Sequence, residues 1–168
     1  MVGALTVLAS VWLTGAFHED GLADTFDALG GAVSRDRALA IMKDSRIGTY
    51  GATALVLVLG LRVALVSTLL QGSAVRASLA LIGANVVGRG CAVAVMALLP
   101  YAGDAEHAKA KPLATAVPRV SVVAAIALTA LAVARQWLGQ RLGGYTGDTL
   151  GAAEQLTEVA VLLVLAVS

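Results

Sequence analysis

Apolar residues in this chain fall into five blocks, Val2–Phe17, Ala52–Leu70, Val75–Leu99, Val117–Ala134 and Leu156–Val167, set apart by polar connections. None of the blocks alternates with a period of two, and all are rich in Ala, Leu and Val, so the pattern predicts helices rather than strands. A helix needs about 20 residues to cross the apolar core of a bilayer. The second and third blocks meet that length, and Gln71-Gly72-Ser73 between them predicts a tight turn and a helical hairpin. The fourth block is marginal, and the fifth needs its upstream Gly-Ala-Ala to be long enough. The expected fold is therefore all-α, a polytopic transmembrane helical bundle.

Composition sharpens this picture. Apolar residues make up 58% of the 168 and charged residues 14%, against roughly 45–50% and about 25% in soluble domains. A mean hydropathy of +0.84 agrees, and the length suits one domain. Eighteen glycines beside three prolines suit membrane helices whose backbones approach closely. A formal charge of +1 gives no argument for nucleic acid. The sole cysteine, Cys91, sits in an apolar run and excludes an internal disulfide framework, so it reads as a small buried residue. The first block is not a signal peptide by pattern: no Lys or Arg precedes it, and Thr-Gly-Ala-Phe is a poor cleavage site. Its shortness suggests an N-terminal end that is incomplete or unusually short.

The candidate chemistry lies in the connection His18 to Gly51. It holds six of the eleven carboxylates, and among its basic residues are Arg35, Arg37, Lys43 and Arg46. If residues 20–27 are helical, Asp20, Asp24 and Asp27 share one stripe at i, i+4, i+7. Three like charges on one face repel unless a cation sits between them. Hard carboxylate oxygens suit Mg2+. Glu19 lies about a quarter-turn away and is a weaker candidate ligand. His18 is a candidate base or, more plainly, a structural histidine at a membrane boundary. Lys43 and Arg46, with Ser45 between them, can clamp phosphate oxygens or simply anchor the following helix.

Two cations stand inside apolar blocks. Arg89, between Gly88 and Gly90, marks a pairing or a substrate path, and Arg62 can serve as an acid's partner. Asn85 reads as helix–helix glue. Gly143-Gly144-Tyr145-Thr146-Gly147-Asp148-Thr149 opens the last helix, where backbone N–H groups bind anions; Asp148 can alternatively be a plain N-terminal cap. Lys/Arg density assigns His18–Gly51 and Pro100–Pro118 to the cytoplasm and Gln71-Gly72-Ser73 to the outside. A single crossing by Val117–Ala134 would then strand Asp148 on the far side. Either that block does not cross, or a further apolar segment is missing.

Three stretches carry a resemblance: His18-Glu19-Asp20-Gly21-Leu22-Ala23-Asp24-Thr25-Phe26-Asp27, Lys43-Asp44-Ser45-Arg46-Ile47-Gly48-Thr49-Tyr50-Gly51 and Gly144-Tyr145-Thr146-Gly147-Asp148-Thr149-Leu150-Gly151-Ala152. In this order they resemble the cobalamin synthase family, the adenosylcobinamide-GDP ribazoletransferases, over essentially the whole chain. Set against that family, the chain forms a single domain lacking N-terminal apolar sequence and one internal helix. The resemblance implies a polytopic enzyme of the bacterial inner membrane, magnesium-dependent, with its site facing the cytoplasm. It implies that a hydroxyl of alpha-ribazole, or its 5'-phosphate, attacks the phosphorus attached to cobinamide and expels GMP, late in assembly of the vitamin B12 nucleotide loop. Asp20, Asp24, Asp27, Lys43 and Arg46 would be catalytic, with the metal on the three aspartates and Glu19. Arg89, Ser45, Gly147, Asp148 and Thr149 would bind substrate. Membrane lipid is an expected partner, and a homo-oligomer is compatible with the sequence. Two rivals remain: a CDP-alcohol-type membrane phosphotransferase, and an ion-coupled transporter with the stripe as cation site. A transporter would be expected to show repeats and broken midplane helices, and neither is visible.

Overall fold

A computed structural model describes residues 1–102 and 137–167. Within them the chain is helical: α1 (Val2–Leu13), α2 (Phe17–Leu29), α3 (Arg35–Met42), α4 (Thr49–Gly72), α5 (Ala74–Leu98) and α6 (Gly147–Val167), with one further helical stretch at 137–142. No strand occurs among the described residues. A single bridge pairs Tyr101 with Tyr145.

The hydrophobic pattern is followed closely in the middle of the chain. α4 and α5, 24 and 25 residues long, are each long and apolar enough to cross a membrane. Ser73 ends one and begins the other, its hydroxyl accepting from the Arg76 N–H at 3.4 Å. The last spanning helix starts earlier than its apolar block, at Gly147, because the polar residues Glu154, Gln155 and Glu158 are buried rather than solvated. The first block does not make one helix. It breaks at Thr14-Gly15-Ala16, where Gly15 (φ 63°) and Ala16 (φ 57°) take left-handed backbone, and α2 leaves α1 at 88°. Hence three helices can span, or four if the bent pair counts as one. The block Val117–Ala134 lies outside the described residues.

Close backbone approach fixes the helix order. Gly21 of α2 lies against α6: a Cβ there would stand 2.7 Å from the Asp148 carbonyl oxygen. Gly51 of α4 lies against α2, its Cβ position 2.7 Å from the Ala23 carbonyl oxygen. Small residues at these crossings replace the hydrophobic driving force that lipid cannot supply. The C-terminal end of α2, the N-termini of α4 and α6 and the C-terminal end of α5 therefore meet at one end of the bundle. Tyr145 bonds the two neighbours of Tyr101 across that end: its N–H donates to Pro100 O at 3.0 Å, and its carbonyl accepts from the Ala102 N–H at 2.7 Å. Asp148 is thus on the same side as α2's acidic stretch, as a shared site requires.

Three layers of side chains follow down the bundle. Near that end Met42, Cys91, Val95, Leu138 and Leu142 form one apolar cluster. Toward the other end Val7, Val66, Leu69, Ala80 and Leu162 form a second. Between them lies a buried polar layer.

Candidate active site

The three motif stretches, far apart in sequence, meet at the shared end. Residues 20–27 are helical, as the stripe requires. Asp27, at the end of the stripe, reaches α4. Its Oδ2 accepts from the Gly48 N–H at 2.7 Å and its Oδ1 from the Gly51 N–H at 2.8 Å. α4 has no side-chain cap of its own, so Asp27 supplies the acceptor and negative charge that a helix N-terminus favours. The third motif meets the first where Gly21 touches Asp148 and Gly151 touches His18. At the α6 start the two threonines satisfy each other: the Thr149 hydroxyl accepts from the Thr146 N–H at 2.9 Å, and the Thr146 hydroxyl from the Thr149 N–H at 3.2 Å. Asp148 stands in that first turn.

The second motif is an exposed loop between α3 and α4. Arg46 forks onto Asp44, Nη2 to Oδ2 at 2.6 Å and Nε to Oδ1 at 3.0 Å. That hydrogen-bonded guanidinium holds the Asp44 carboxyl at about 2, below its usual range. Lys43 and Ser45 are exposed beside it. Two other arginines shape the surroundings through backbone carbonyls. Arg35 donates to Leu142 O at 2.5 Å and Ala102 O at 3.3 Å, and Arg141 to Gly31 O at 2.6 Å and Leu29 O at 3.2 Å.

Deeper in the bundle is a network that the sequence reading foresaw only in pieces. Arg62, 2% exposed, donates Nη1 to Glu19 Oε1 at 3.1 Å and to Gln155 Oε1 at 2.9 Å. Its Nη2 reaches Glu158 Oε1 at 2.8 Å. The Gln155 amide donates back to Glu19 Oε1 at 3.0 Å. Asn85 joins α5 to the same Glu158 oxygen at 3.2 Å, the helix glue expected of it. Arg89 continues the chain, with Nη1 on Asn85 Oδ1 at 2.8 Å and on Glu154 Oε1 at 2.9 Å. Glu154 Oε2 in turn meets His18 Nε2 at 2.5 Å. Arg62 is therefore an acid's partner, as anticipated. Glu154, Gln155 and Glu158 were missed as site neighbours. Their signal was polar spacing at i, i+1 and i+4 just ahead of and within an apolar block.

The candidate residues thus separate into two groups. Asp20, Asp24, Asp27, Gly147, Asp148 and Thr149 gather where α2, α4 and α6 meet, and Lys43, Ser45 and Arg46 lie on the loop that leads into α4. Glu19 and Arg89 are held in the network, joined to the site through His18 and Glu154. The donor set can be tested against magnesium. No group of three His, Cys, Asp or Glu side chains among the described residues stands ready to hold a metal. Asp27 also has both oxygens on N–H groups, and Glu19 has one on Arg62. Magnesium, however, is usually held by one or two carboxylates together with substrate phosphates. Asp20 and Asp24, one turn apart, fit that smaller requirement.

Comparison with known proteins completes the description. A family model described as cobalamin-5-phosphate synthase matches residues 1–166. A protein of Leptothrix cholodnii named adenosylcobinamide-GDP ribazoletransferase is 52% identical, over 95% of this chain and 70% of its own length. Vibrio cholerae and Azorhizobium caulinodans proteins of the same name are 42% and 44% identical, over 96% and 95% of this chain and 69% of their own lengths. No solved structure matches.

Proposed function

Because the chain belongs to the cobalamin-5-phosphate synthase family, we infer that it is an adenosylcobinamide-GDP ribazoletransferase, a membrane enzyme that joins adenosylcobinamide-GDP to alpha-ribazole or its 5'-phosphate. A ribazole hydroxyl oxygen bonds to the phosphorus attached to cobinamide, the bond from that phosphorus to GMP breaks, and the hydroxyl proton is lost. The products are GMP and adenosylcobalamin or its phosphate. The observation that carries this reading is the meeting of three separated motifs at one end of the bundle, through Asp27 with Gly48 and Gly51 and through Gly21 with Asp148.

Attack on a diphosphate needs positioning and charge neutralisation more than a protein nucleophile. In our reading the α6 N-terminus offers N–H groups to the diphosphate, with Gly147, Asp148 and Thr149 shaping that turn. Lys43 contributes a point charge and Arg46 a fork, with Ser45 between them. Asp27 holds α4 against α2, so that the loop and the stripe keep their spacing. Asp20 and Asp24 would hold magnesium, which when bound supplies positive charge to the phosphoryl oxygens and the departing GMP. Arg89 acts from the network, with Glu154 fixing its guanidinium beside His18.

Among the described residues, the same end of the bundle carries Arg35, Arg37, Lys43, Arg46 and Arg141, whereas Arg76 sits at the other. That asymmetry supports a cytoplasm-facing site in a cell inner membrane. Exposed Val56, Leu57 and Leu61 on α4 and Val75, Leu79 and Val86 on α5 would face lipid, or a second copy of the chain. The test is GMP release by proteoliposomes given magnesium, adenosylcobinamide-GDP and alpha-ribazole. Release that requires both substrates is expected; none from folded protein would sink the reading.

A further inference from the structure

The turn that leads into α6 is held from outside its own helix. Gly143 takes left-handed backbone (φ 72°), and a Cβ on Gly144 would run into the Pro100 carbonyl oxygen. Tyr145 then bonds Pro100 and Ala102. By pattern these two glycines can cradle an anion; in the fold their room is taken by the chain itself. Any anion must therefore meet the turn further on, at Gly147–Thr149.

Two arginines close on this turn from opposite directions. Arg35, at the start of α3, donates Nε to Leu142 O at 2.5 Å and Nη2 to Ala102 O at 3.3 Å. One guanidinium thus joins the residue ahead of the turn to the segment that pairs with Tyr145. Arg141 sends its Nη2 the other way, to Leu29 O, the last of α2, at 3.2 Å and to Gly31 O just past it at 2.6 Å. Carbonyls at a helix C-terminus lack a partner within the helix and carry partial negative charge, which suits a cation. Each arginine therefore caps the helical end that lies beside the other. Both are spent on backbone: the ion pair of Arg35 with Asp36 is longer, at 3.7 Å, and exposed. A cation bonded to carbonyls fixes geometry without neutralising an acid of the site.

We propose that Arg35 and Arg141 are positioning residues, a reciprocal clamp that sets where the Asp148 turn stands over the aspartates of α2. The assignment rests on the reaction inferred above. Gly21 against Asp148 and Gly151 against His18 hold α6 to the first half of α2. The clamp holds the approach to α6 against the other end of α2, beyond Asp24 and Asp27. With both ends tied, the first turn of α6 and the aspartates meet a diphosphate at a fixed spacing. In-line attack is steeply sensitive to that spacing, about 10²-fold for a misplacement of about 1 Å.

Steady-state GMP release in proteoliposomes tests the role. Arg35→Gln and Arg141→Gln should each lower kcat and kcat/KM together, by about 10- to 100-fold, with the KM for either substrate little changed. The double variant should lose clearly less than the product of the single losses, because both break one clamp. Lysine separates the two positions. Arg141 serves both carbonyls from one nitrogen, which an ammonium can imitate, whereas Arg35 forks two nitrogens onto two segments, which a point charge cannot. Arg141→Lys should therefore recover much of the lost kcat and Arg35→Lys little. A second measurement reads the clamp without chemistry. Spin labels on the exposed positions Ala32→Cys and Gln140→Cys, in a Cys91→Ala background, should give a narrow distance distribution that either glutamine variant broadens. Losses that only track the folded fraction, equal recovery by lysine at both positions, an unbroadened distribution, or normal kcat despite broadening would each overturn the assignment. Wild type with the narrow distribution but no GMP release would refute the reaction, and with it the positioning role, while leaving the clamp itself standing.

Discussion

The bundle carries charge in two places that obey different rules. In the polar layer, Glu19, Glu158 and Glu154 face Arg62 and Arg89 in close ion pairs, although Glu19 Oε2 and Arg62 Nε find no hydrogen-bond partner among the described residues. At the shared end, Asp20 and Asp24 of the first motif and Asp148 of the third meet without forming a ready-made cage among the described residues. The first set is paired in the interior of the bundle, whereas the second stands at its end, where the motifs meet. Buried ion pairs contribute little net stability compared with an apolar replacement, yet breaking one is costly. The contrast teaches that position in an apolar block does not fix depth: the Arg62 side chain is 2% exposed and enclosed by its partners, whereas Arg89, paired with Glu154, keeps half of its side chain exposed.

The sharpest way to break the contrast is Arg62→Met. It leaves Glu19, Glu158 and Gln155 in the interior without their shared cation, and loss of about 3–5 kcal/mol is expected. Reversible unfolding in mixed detergent micelles would measure it. Adding Glu19→Gln and Glu158→Gln to Arg62→Met should recover much of the loss, because the unpaired charges are then gone. A single Arg62→Met variant as stable as wild type would mean that the layer is not a closed charge network.

Much of this division was legible beforehand. The three motifs could be read because each concentrates charge or glycine beside an apolar block, and the turn at Gln71-Gly72-Ser73 could be placed by block length. Arg62 could be read as a partner for an acid, but not which acid, since pairing Glu19 with Glu158 across α2, α4 and α6 depends on helix register. Glu154 falls just ahead of the apolar block Leu156–Val167, so by pattern alone it reads as part of a polar connection. The break at Ala16 has no sequence signal beyond Gly15. Thr25 reads as one more polar residue in an acidic helix; only packing reveals that its hydroxyl is buried with no hydrogen-bond partner among the described residues. Asp27's task on Gly48 and Gly51 was likewise hidden behind the regular spacing of the stripe.

Asp24→Asn sharpens the other side. Turnover should fall roughly 10²- to 10³-fold, the scale of removing one preorganised electrostatic contact from a reaction centre. Unfolding should change little, because no buried guanidinium loses its partner. Asp27→Asn makes the internal control: it keeps an acceptor for Gly48 or Gly51 but drops the charge at the α4 N-terminus, so its main cost should be in stability. GMP release and unfolding measured on both variants would separate them. Equal activity losses in the two would restore Asp27 to the metal set.

The smallest effect belongs to a pair that looks strong in isolation. Arg46 and Asp44 share short, forked hydrogen bonds, and the guanidinium keeps Asp44 ionised down to about 2 rather than its ordinary 3.8. Because the folded value is the lower one, any stabilisation is complete above the unfolded value near 3.8 and is lost as pH falls through 2. The Arg46 side chain is 87% exposed, so water and salt screen most of that gain. Asp44→Asn at neutral pH should therefore leave the unfolding midpoint nearly unmoved, with any small difference vanishing at high salt and below pH 2. The geometry of this pair is better than that of Arg62 with Glu19, yet its removal should matter far less, because the solvent replaces what the partner gave. A loss from Asp44→Asn as large as that from Arg62→Met would show that hydrogen-bond geometry, not burial, sets the cost of breaking a charge pair in this protein.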